Sequence, residues 1–275
     1  MGMMLHRNLE ENNPTPPPPP PQTPSYAVDM LNRKRAKGRW KRAVVYVGTR
    51  NVYSEMETAA KSMLYHNPNL NVYFLIEDDT FPMRIPDSIT CVNVSNQPWI
   101  LRNSPNYNNP WTHMVLLRVA LTKLFPEYDR ILSIDCDTIV VKDISELWTM
   151  DMGDNYIAVA CERFIEHRNP NYFNVGVMVQ NLKLLRETRM DDRLIDAINS
   201  TKYRYPEQDA MIQLFEDKFI ELPCEYNDNF ACGESADPSI VHYIGKSKRD
   251  HKRLNLKGYY ACMSWDDIAK RRTYK

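Results

Sequence analysis

Short apolar runs alternate with segments of helical periodicity from residue 43 onward, and this alternation limits the folds open to the chain. Runs rich in apolar and β-branched residues lie at 43–47, 72–76, 89–94, 130–134, 156–161 and 175–179. Helical spacing and helix-ending signals place helices at 54–66, 115–125 and 207–217, the first with a capping box of Ser54 and Glu57. Strands that alternate with helices are typical of a mainly parallel sheet with helices on both faces. The sequence therefore predicts an α/β fold.

The two ends of the chain differ from this central part. Residues 14–24 hold eight of the 19 prolines, and residues 33–42 carry seven Lys and Arg side chains. A polyproline II helix cannot pack a core, so residues 1–42 are predicted to be a disordered, proline-rich and basic tail. For the proline-rich part, we favour a solvated spacer over a ligand for an SH3-like or WW-like partner. For the basic run, we favour a solvated face over a binding site for an anionic surface.

The other end, residues 252–275, is both basic and aromatic. It has seven basic residues, two acidic residues, three tyrosines and Trp265. We expect a C-terminal extension whose aromatic side chains cap the domain core. The alternative is peripheral contact with an anionic membrane, since basic and aromatic residues favour the headgroup region.

Composition excludes several classes of protein. The chain has 275 residues, with 35 Lys plus Arg and 35 Asp plus Glu, so its formal net charge is zero. Nucleic-acid binders usually carry a basic surplus, so nucleic acid is not expected as a partner. No run of 18 apolar residues is present, and the N-terminal residues lack the apolar core of a secretory signal. Six cysteines without C-x-x-C spacing predict reduced thiols in a cytoplasmic protein.

Two carboxylates, Asp135 and Asp137, interrupt an apolar stretch. The run 130–134 leads directly into them, and a second apolar run follows at 138–141. Residues i and i+2 of an extended chain project to the same side, and ligand sites of open α/β sheets lie beyond the carboxyl ends of the strands. Because buried carboxylates are costly without a neutralising cation, the pair predicts a site for a hard divalent ion. A pair of surface Asp residues at a turn is the alternative.

A second strand-like run ends in His242 and leads to Gly245 and Lys248. An imidazole beside two carboxylates gives a mixed ligand set that suits Mn²⁺ better than Ca²⁺. Lys248 could then lie beside a phosphate group bound to the same ion. A structural histidine at a strand end is the alternative for His242.

Five blocks of the sequence carry a resemblance to a known family: 47–53 with 62–64, 118–126, 135–148, 172–182, and 207–209 with 242–248. They resemble, in the same order, blocks of glycosyltransferase family 8, which contains glycogenin and the bacterial lipooligosaccharide galactosyltransferases. The resemblance implies a GT-A fold with a Rossmann-like sheet in a single domain, residues 43–251. It also implies a hexosyltransferase that uses a UDP-hexose donor, glucose or galactose, with Mn²⁺ and retention of configuration.

The resemblance also implies roles for individual residues. Asp135, Asp137 and His242 match the metal ligands, and Asp135 also reaches the donor ribose. The base contacts match Thr49 and Tyr53, the diphosphate contacts match Gly245 and Lys248, and Arg118 faces the donor. Asn174 and Gln208 match the floor of the sugar pocket.

Retention requires either a protein nucleophile or attack from the side of the leaving group, and the sequence leaves both open. Asp209 is the better nucleophile on chemical grounds, because the side chain of Gln208 is an amide. We favour same-side attack, with Gln208 stabilising the oxocarbenium-like sugar. Glu207 stands where the family usually has Asp.

Two other functions remain open from the sequence. A metal-dependent nucleotidyltransferase is disfavoured because residues 48–51 contain a single glycine and no Gly-rich phosphate loop. An inactive carbohydrate-binding scaffold is disfavoured by the intact set of metal ligands. The acceptor is not predicted, and carbohydrate, protein and glycolipid are all compatible with the sequence.

Overall fold

A seven-stranded sheet forms the centre of the computed structural model, which describes residues 41–79, 81, 85–86, 88–163, 169–245 and 252–272. Its strands run in the order β3-β2-β1-β4-β7-β6-β8, and only β7 is antiparallel to its two neighbours. A smaller antiparallel sheet pairs β5 with β9. The strands are β1 Ala43–Gly48, β2 Asn71–Ile76, β3 Ile89–Asn93, β4 Arg130–Ile134, β5 Thr138–Val140, β6 Ile157–Cys161, β7 Phe173–Asn181, β8 Phe219–Glu221 and β9 Ile240–His242. The predicted α/β class and mainly parallel sheet are confirmed.

Helices cover both faces of the sheet. Successive residues of β1 show why: Ala43, Val45 and Val47 pack in one apolar cluster, whereas Val44 and Tyr46 pack in the cluster on the other side. A strand buried on both faces reads as a continuous apolar run. The described α-helices are α1 Tyr53–His66, α2 Leu121–Leu124, α3 Leu182–Glu187, α4 Met190–Ser200, α5 Pro206–Phe215, α6 Leu254–Cys262 and α7 Trp265–Arg272. Short 3₁₀ helices span Arg50–Val52, His113–Ala120, Ser145–Trp148 and Cys224–Asn227.

The predicted capping box at Ser54 is wrong. A 3₁₀ turn leads directly into α1, so the helix begins at Tyr53 and its N-cap is Val52. Ser54 therefore lies inside the first turn, and Glu57 pairs with Lys61 at 3.0 Å rather than reaching back to the cap.

The predicted helix 115–125 differs in type. The chain forms a 3₁₀ helix over His113–Ala120 and only then one turn of α-helix, α2. Buried Met114, Leu117 and Ala120 recur every third residue. At 3.0 residues per turn these side chains lie in line, and at 3.6 residues per turn they drift by only about 60° per step and still share one face over eight residues. Periodicity over so short a segment therefore did not exclude an α-helix.

The C-terminal helices pack against α1. Tyr260 is buried and its hydroxyl lies 2.7 Å from Nε2 of His66, while the ammonium group of Lys61 lies 5.4 Å from the ring centre of Trp265. Ile268 of α7 is buried in the same core. Tyr260 and Trp265 pack as the capping interpretation expects, whereas Tyr259 is 52% exposed and Tyr274 lies outside the described residues. Among the described residues, no helix combines the length and hydropathy needed to cross a bilayer.

Candidate metal centre and active-site cleft

The two carboxylates lie where β4 leaves the main sheet. The backbone N–H of Asp135 donates to the carbonyl of Gly176 on β7 at 2.7 Å, and the Thr138 hydroxyl donates to the Asp135 carbonyl at 2.7 Å. The chain then enters β5, where Thr138 is paired with His242 of β9. The register of this small sheet therefore brings the histidine beside the Asp-x-Asp segment.

The three predicted metal ligands are together. Nε2 of His242 lies 3.2 Å from Oδ1 of Asp137 and 3.4 Å from Oδ2 of Asp135. One candidate ligand atom from each residue lies within 4.8 Å of the others. Adjacent ligands of an octahedral ion bound at about 2.1 Å are about 3 Å apart, so the spacing fits one divalent ion. Two carboxylates and an imidazole also match the mixed donor set expected for Mn²⁺.

The hydrogen bonds of His242 leave Nε2 facing the carboxylates. Nδ1 lies 2.8 Å from Oδ1 of Asn227, an oxygen that also accepts from Nδ2 of Asn229 at 2.9 Å. Because that oxygen can only accept, Nδ1 carries the proton. A second hydrogen bond of this kind fixes the tautomer of a metal-binding histidine.

The acidic neighbours determine the charge of this buried histidine. Burial by itself lowers the pKa of His242, but the charge of Asp137 and the hydrogen bonds to Asp135 and Asp137 raise it to about 9. Without a cation, the ring therefore keeps a second proton that compensates the carboxylates. Metal binding has to displace that proton, as for histidine ligands generally.

Asn227 extends the network away from the ligands. Its Nδ2 donates to Oδ1 of Asn174 at 3.1 Å, and Nδ2 of Asn174 donates to Oε1 of Glu162 at 3.0 Å. Oδ1 of Asn174 also accepts from the backbone N–H of Gly176 at 2.9 Å. The chain from His242 to Glu162 therefore fixes the position of Asn174 relative to the metal ligands.

Arg118 supports the metal centre by contacting one of the three ligands. Its buried guanidinium contacts Oδ1 of Asp135 and lies 3.7 Å from Oε1 of Glu207. Burial raises the pKa of Asp135, but Arg118 and His242 outweigh it and hold that pKa well below its usual range. Burial raises the pKa of Glu207 despite the nearby guanidinium. Arg118 thus holds one oxygen of Asp135 while the other faces His242.

Gly176 is required for this close packing. A Cβ atom at this position would overlap Cε1 of His242 and lie 2.8 Å from Oδ2 of Asp135. Real Cβ atoms essentially never approach this closely. The strand β7 can pass beneath the metal ligands only because residue 176 has no side chain.

A cleft of about 520 Å³ opens above the centre. Seven of the predicted site residues line it: Asn174, Gln208, Arg118, Asp135, Asp137, His242 and Gly245. Oε1 of Gln208 accepts from the backbone N–H of Val175 at 3.3 Å, which holds the amide at the wall of the cleft. Lys248 lies outside the described residues.

Three predicted residues do not line this cleft. Thr49 follows β1 at the same edge of the sheet as Asp135, since β1 and β4 are parallel neighbours, and its hydroxyl donates to Oδ1 of Asn51. Tyr53 is 1% exposed and packs on Phe81 with ring centres 4.9 Å apart. Stacking of Tyr53 on a base would therefore require a rearrangement of its neighbours.

The third is Asp209, whose carboxylate is engaged by hydrogen bonds. Oδ2 accepts from the backbone N–H groups of Arg204 and Tyr205 at 3.1 and 2.9 Å. Oδ1 accepts from the hydroxyl of Tyr172 at 2.9 Å. This carboxylate therefore organises the chain at the start of α5.

Sequence reasoning missed Asn227 and Glu162. Asn227 belongs to an Asn-Asp-Asn segment whose three residues are fully buried. Three adjacent polar residues with no exposure need internal partners. The polar triplet that precedes the His242 strand was visible in the sequence, but it does not indicate that Asn227 contacts His242.

Comparison with known proteins identifies relatives of this chain. The sequence profile of glycosyl transferase family 8 matches residues 43–249. Glycosyltransferase GlyE of Streptococcus pneumoniae is 30% identical over 235 residues, 76% of this chain and 56% of that protein. Lipopolysaccharide 1,2-glucosyltransferase of Escherichia coli K12 is 24% identical over 247 residues, 76% of this chain and 72% of that protein.

Solved structures show the same architecture. The crystal structure of GlyE matches with a TM-score of 0.63 at 26% identity, over 83% of this chain and 62% of that chain. Galactosyltransferase LgtC, crystallised with donor and acceptor sugar analogues, matches with a TM-score of 0.59 at 17% identity, over 83% of this chain and 99% of that chain. The GT-A fold implied by the sequence resemblance is thereby confirmed. The chain covers less than two thirds of GlyE.

Proposed function

The chain belongs to glycosyl transferase family 8, and from that premise we propose that it transfers a hexosyl group from a UDP-hexose to an acceptor hydroxyl. The observation that carries the proposal is the grouping of Asp135, Asp137 and His242 at the base of a cleft. These residues would hold a divalent ion, for which Mn²⁺ is the proposed occupant. When bound, such an ion stabilises the negative charge that develops on a departing diphosphate.

Other residues of the cleft orient the metal ligands or would bind the donor. Arg118 orients Asp135, and the chain from Asn227 to Glu162 orients His242 and Asn174. Gln208 and Asn174 form the floor on which the hexose would rest. Gly245 lines the cleft, and Lys248, three residues further along the chain, is proposed to contact the diphosphate.

We propose that transfer retains the anomeric configuration through same-side attack. The bond from the anomeric carbon to the phosphate oxygen breaks, the acceptor oxygen bonds to that carbon, and the acceptor proton passes to the departing diphosphate. The contacts of the nearby carboxylates support this route over a covalent intermediate. Asp209 is held by three hydrogen bonds, Glu162 accepts from Asn174, and Glu207 lies beside Arg118.

Glucose and galactose are the proposed donor sugars. The relatives named above include a glucosyltransferase and a galactosyltransferase. Glucose and galactose are therefore the first two donor sugars to test with this chain.

A donor screen tests the proposal. Purified protein with Mn²⁺ is incubated with UDP-glucose and UDP-galactose, and UDP release is measured with and without sugar acceptors. Release of UDP from one donor, with the α-anomeric linkage of the product seen by NMR, is the expected result. Release of pyrophosphate from a nucleoside triphosphate would indicate a nucleotidyltransferase instead. Binding of sugar without any release would indicate a scaffold.

A further inference from the structure

The side-chain amide of Gln208 is bonded at both ends. Its Oε1 accepts from the backbone N–H of Val175 at 3.3 Å, and its Nε2 donates to the hydroxyl of Tyr172. Gln208 is buried, so the amide has little contact with water that could replace these partners. The oxygen and nitrogen of an amide are nearly alike in size, and only hydrogen bonds determine which of them points in a given direction.

The hydroxyl of Tyr172 can take only one role toward this amide. Its O–H donates to Oδ1 of Asp209 at 2.9 Å, and a carboxylate of this kind only accepts. Burial raises the pKa of Tyr172, and the carboxylate of Asp209 adds to the shift, while the hydrogen bond from Gln208 opposes it. The hydroxyl therefore keeps its single proton, which is used on Asp209. Only oxygen lone pairs remain for Gln208, which must present Nε2 to them.

The backbone fixes the direction of this network at both ends. On one side, Oδ2 of Asp209 accepts from the backbone N–H groups of Arg204 and Tyr205 at 3.1 and 2.9 Å. On the other side, the backbone N–H of Val175 faces Oε1 of Gln208. Backbone N–H groups only donate, so no member of the chain can reverse its role.

Oε1 is thus the end of Gln208 that keeps capacity for a further interaction. An amide oxygen has two lone pairs, and among the described residues it accepts the hydrogen bond from Val175. The oxygen of the neighbouring Asn174 already accepts from Asn227 and Gly176. Both amides line the cleft. A partly negative amide oxygen stabilises an oxocarbenium-like sugar, whereas an NH₂ group would oppose its positive charge.

We propose that Tyr172 is a positioning residue, which holds the amide of Gln208 with its oxygen, and not its nitrogen, toward the donor sugar. The inference rests on the proposed function and deepens it, because it explains how a neutral side chain supports same-side attack. Tyr172 does not line the cleft, so it acts through Gln208. The remaining hydrogen bond to Val175, at 3.3 Å, is longer than usual. Without the hydroxyl, that bond holds the amide weakly.

Tyr203 offers a matched control. Its hydroxyl donates to Oε1 of Gln213 at 2.9 Å, and Gln213 belongs to the same helix, α5, as Gln208. Neither Tyr203 nor Gln213 lines the cleft. Tyr203→Phe therefore removes the same chemical group from a tyrosine–glutamine pair that lies away from the proposed donor site.

The position of the amide is measured first, without any dependence on turnover. In ¹H–¹⁵N spectra of protein labelled at its glutamine side chains, the Nε2 resonance of Gln208 is the one that is absent from Gln208→Ala. We expect Tyr172→Phe to shift this resonance and Tyr203→Phe to leave it in place. An unchanged resonance in Tyr172→Phe would overturn the proposal, whether or not the protein shows activity.

Kinetics then test the consequence for transfer. Tyr172→Phe should lower kcat for UDP release about 10-fold or more, because a preorganised dipole beside the developing charge is lost. KM for the UDP-hexose and the affinity for UDP with Mn²⁺ should change less than about 2-fold, since no contact to the donor is removed. Adding Tyr172→Phe to Gln208→Ala should cause no further loss of kcat, because no amide remains to be oriented. Tyr203→Phe should keep the wild-type kcat.

The remaining outcomes separate this inference from the proposed function. Wild-type kcat in Tyr172→Phe, or losses that multiply in the double variant, would overturn the positioning role. Loss of UDP affinity together with a lowered unfolding midpoint would also overturn it, because it would indicate a general structural role. Failure of the wild-type protein to release UDP from any donor would contradict the proposed function instead, and the amide resonance would still decide whether Tyr172 orients Gln208.

Discussion

Nη1 of Arg253 lies 2.6 Å from Oδ2 of Asp228, a carboxylate that is fully buried. Asp228 directly follows Asn227, the partner of the His242 ring, and its carbonyl accepts from the backbone N–H of His242 at 3.0 Å. Nη2 of Arg253 also donates to the carbonyl of Ser235 at 2.8 Å. The start of the basic C-terminal segment is therefore bonded to the loop that positions a proposed metal ligand.

Removal of Arg253 should destabilise the domain. Arg253→Ala leaves the buried Asp228 carboxylate without its cation, and breaking a buried pair from one side costs about 3–5 kcal/mol. Because the Arg253 side chain is 20% exposed, we expect a loss near the lower end, about 3 kcal/mol, in urea unfolding. The double variant Arg253→Met with Asp228→Asn removes both charges and should regain part of this loss. An unfolding midpoint for Arg253→Ala equal to that of the wild type would contradict the role assigned to the pair.

Gly176→Ala should strongly weaken metal binding. The added methyl group would occupy space held by His242 and Asp135, so at least one ligand must move. We expect Mn²⁺ affinity, measured by the EPR signal of the free ion, to fall by about 10²-fold or more. Gly258→Ala is the matched control, since a Cβ there meets no atom within 4 Å and the residue lies in helix α6. That variant should bind Mn²⁺ normally and gain about 0.5–1 kcal/mol of stability.

Loss of the Asn227 amide should weaken the site without removing a ligand. Asn227→Ala frees Nδ1 of His242, so the ring can turn or take the other tautomer. Removing such a supporting group usually lowers metal affinity about 10- to 100-fold, which Mn²⁺ titration can measure. Asn227→Asp keeps an acceptor for Nδ1 and should lose less affinity than Asn227→Ala. Equal Mn²⁺ affinity in wild type and Asn227→Ala would show that the hydrogen bond does not orient the ring.

Asp209→Asn tests whether this residue is a nucleophile. The amide keeps one acceptor oxygen but replaces the other with a donor that faces N–H groups or a hydroxyl. We expect a loss of stability of about 1–3 kcal/mol, because a hydrogen bond to a half-buried, charged carboxylate is broken. Mass spectrometry of wild-type protein incubated with the donor should show no hexosyl adduct on Asp209. An adduct there, absent from the variant, would replace same-side attack with a covalent route.

Much of the fold could be predicted because short stretches of sequence indicate the strands directly. The central strands are apolar on both faces, and runs such as 43–47 and 130–134 therefore coincide with β1 and β4. Helix α4 was not predicted, although Met190, Leu194 and Ile198 recur every fourth residue and are buried. The other residues of α4 are mostly polar, so the apolar spacing that predicts this helix was overlooked.

The pairing of β5 with β9 could not be predicted from local sequence. Each strand has three residues, and about 100 residues of chain separate them. Such short strands are stabilised by tertiary packing, not by intrinsic preference. Residue chemistry made His242 a candidate ligand, and the family resemblance, rather than periodicity, matched it to the same metal site as Asp135 and Asp137.

The contact between the rings of Trp111 and Tyr205, whose centres lie 5.1 Å apart, and the position of Asp209 also depend on distant parts of the chain. Trp111 is displayed by a loop that Asn106 ties to residues 198, 201 and 203. Nothing in the local sequence around Trp111 indicates those partners. A carboxylate such as Asp209 can act as a nucleophile or accept hydrogen bonds from backbone N–H groups at the start of a helix. Only the observed hydrogen bonds distinguish these two roles.

The central claim is that Asp135, Asp137 and His242 hold the ion required for UDP release. The most direct test is the rate of UDP release from UDP-glucose and UDP-galactose by wild type and Asp137→Asn, after EDTA treatment and again after Mn²⁺ is restored. Wild-type release should disappear with EDTA and return with Mn²⁺. Asp137→Asn should be slower by about 10²-fold or more at any Mn²⁺ concentration, because charge stabilisation of this kind contributes a few kcal/mol, with an unfolding curve showing that it remains folded. Wild-type rates in Asp137→Asn with a normal Mn²⁺ response would contradict the metal centre and the mechanism built on it.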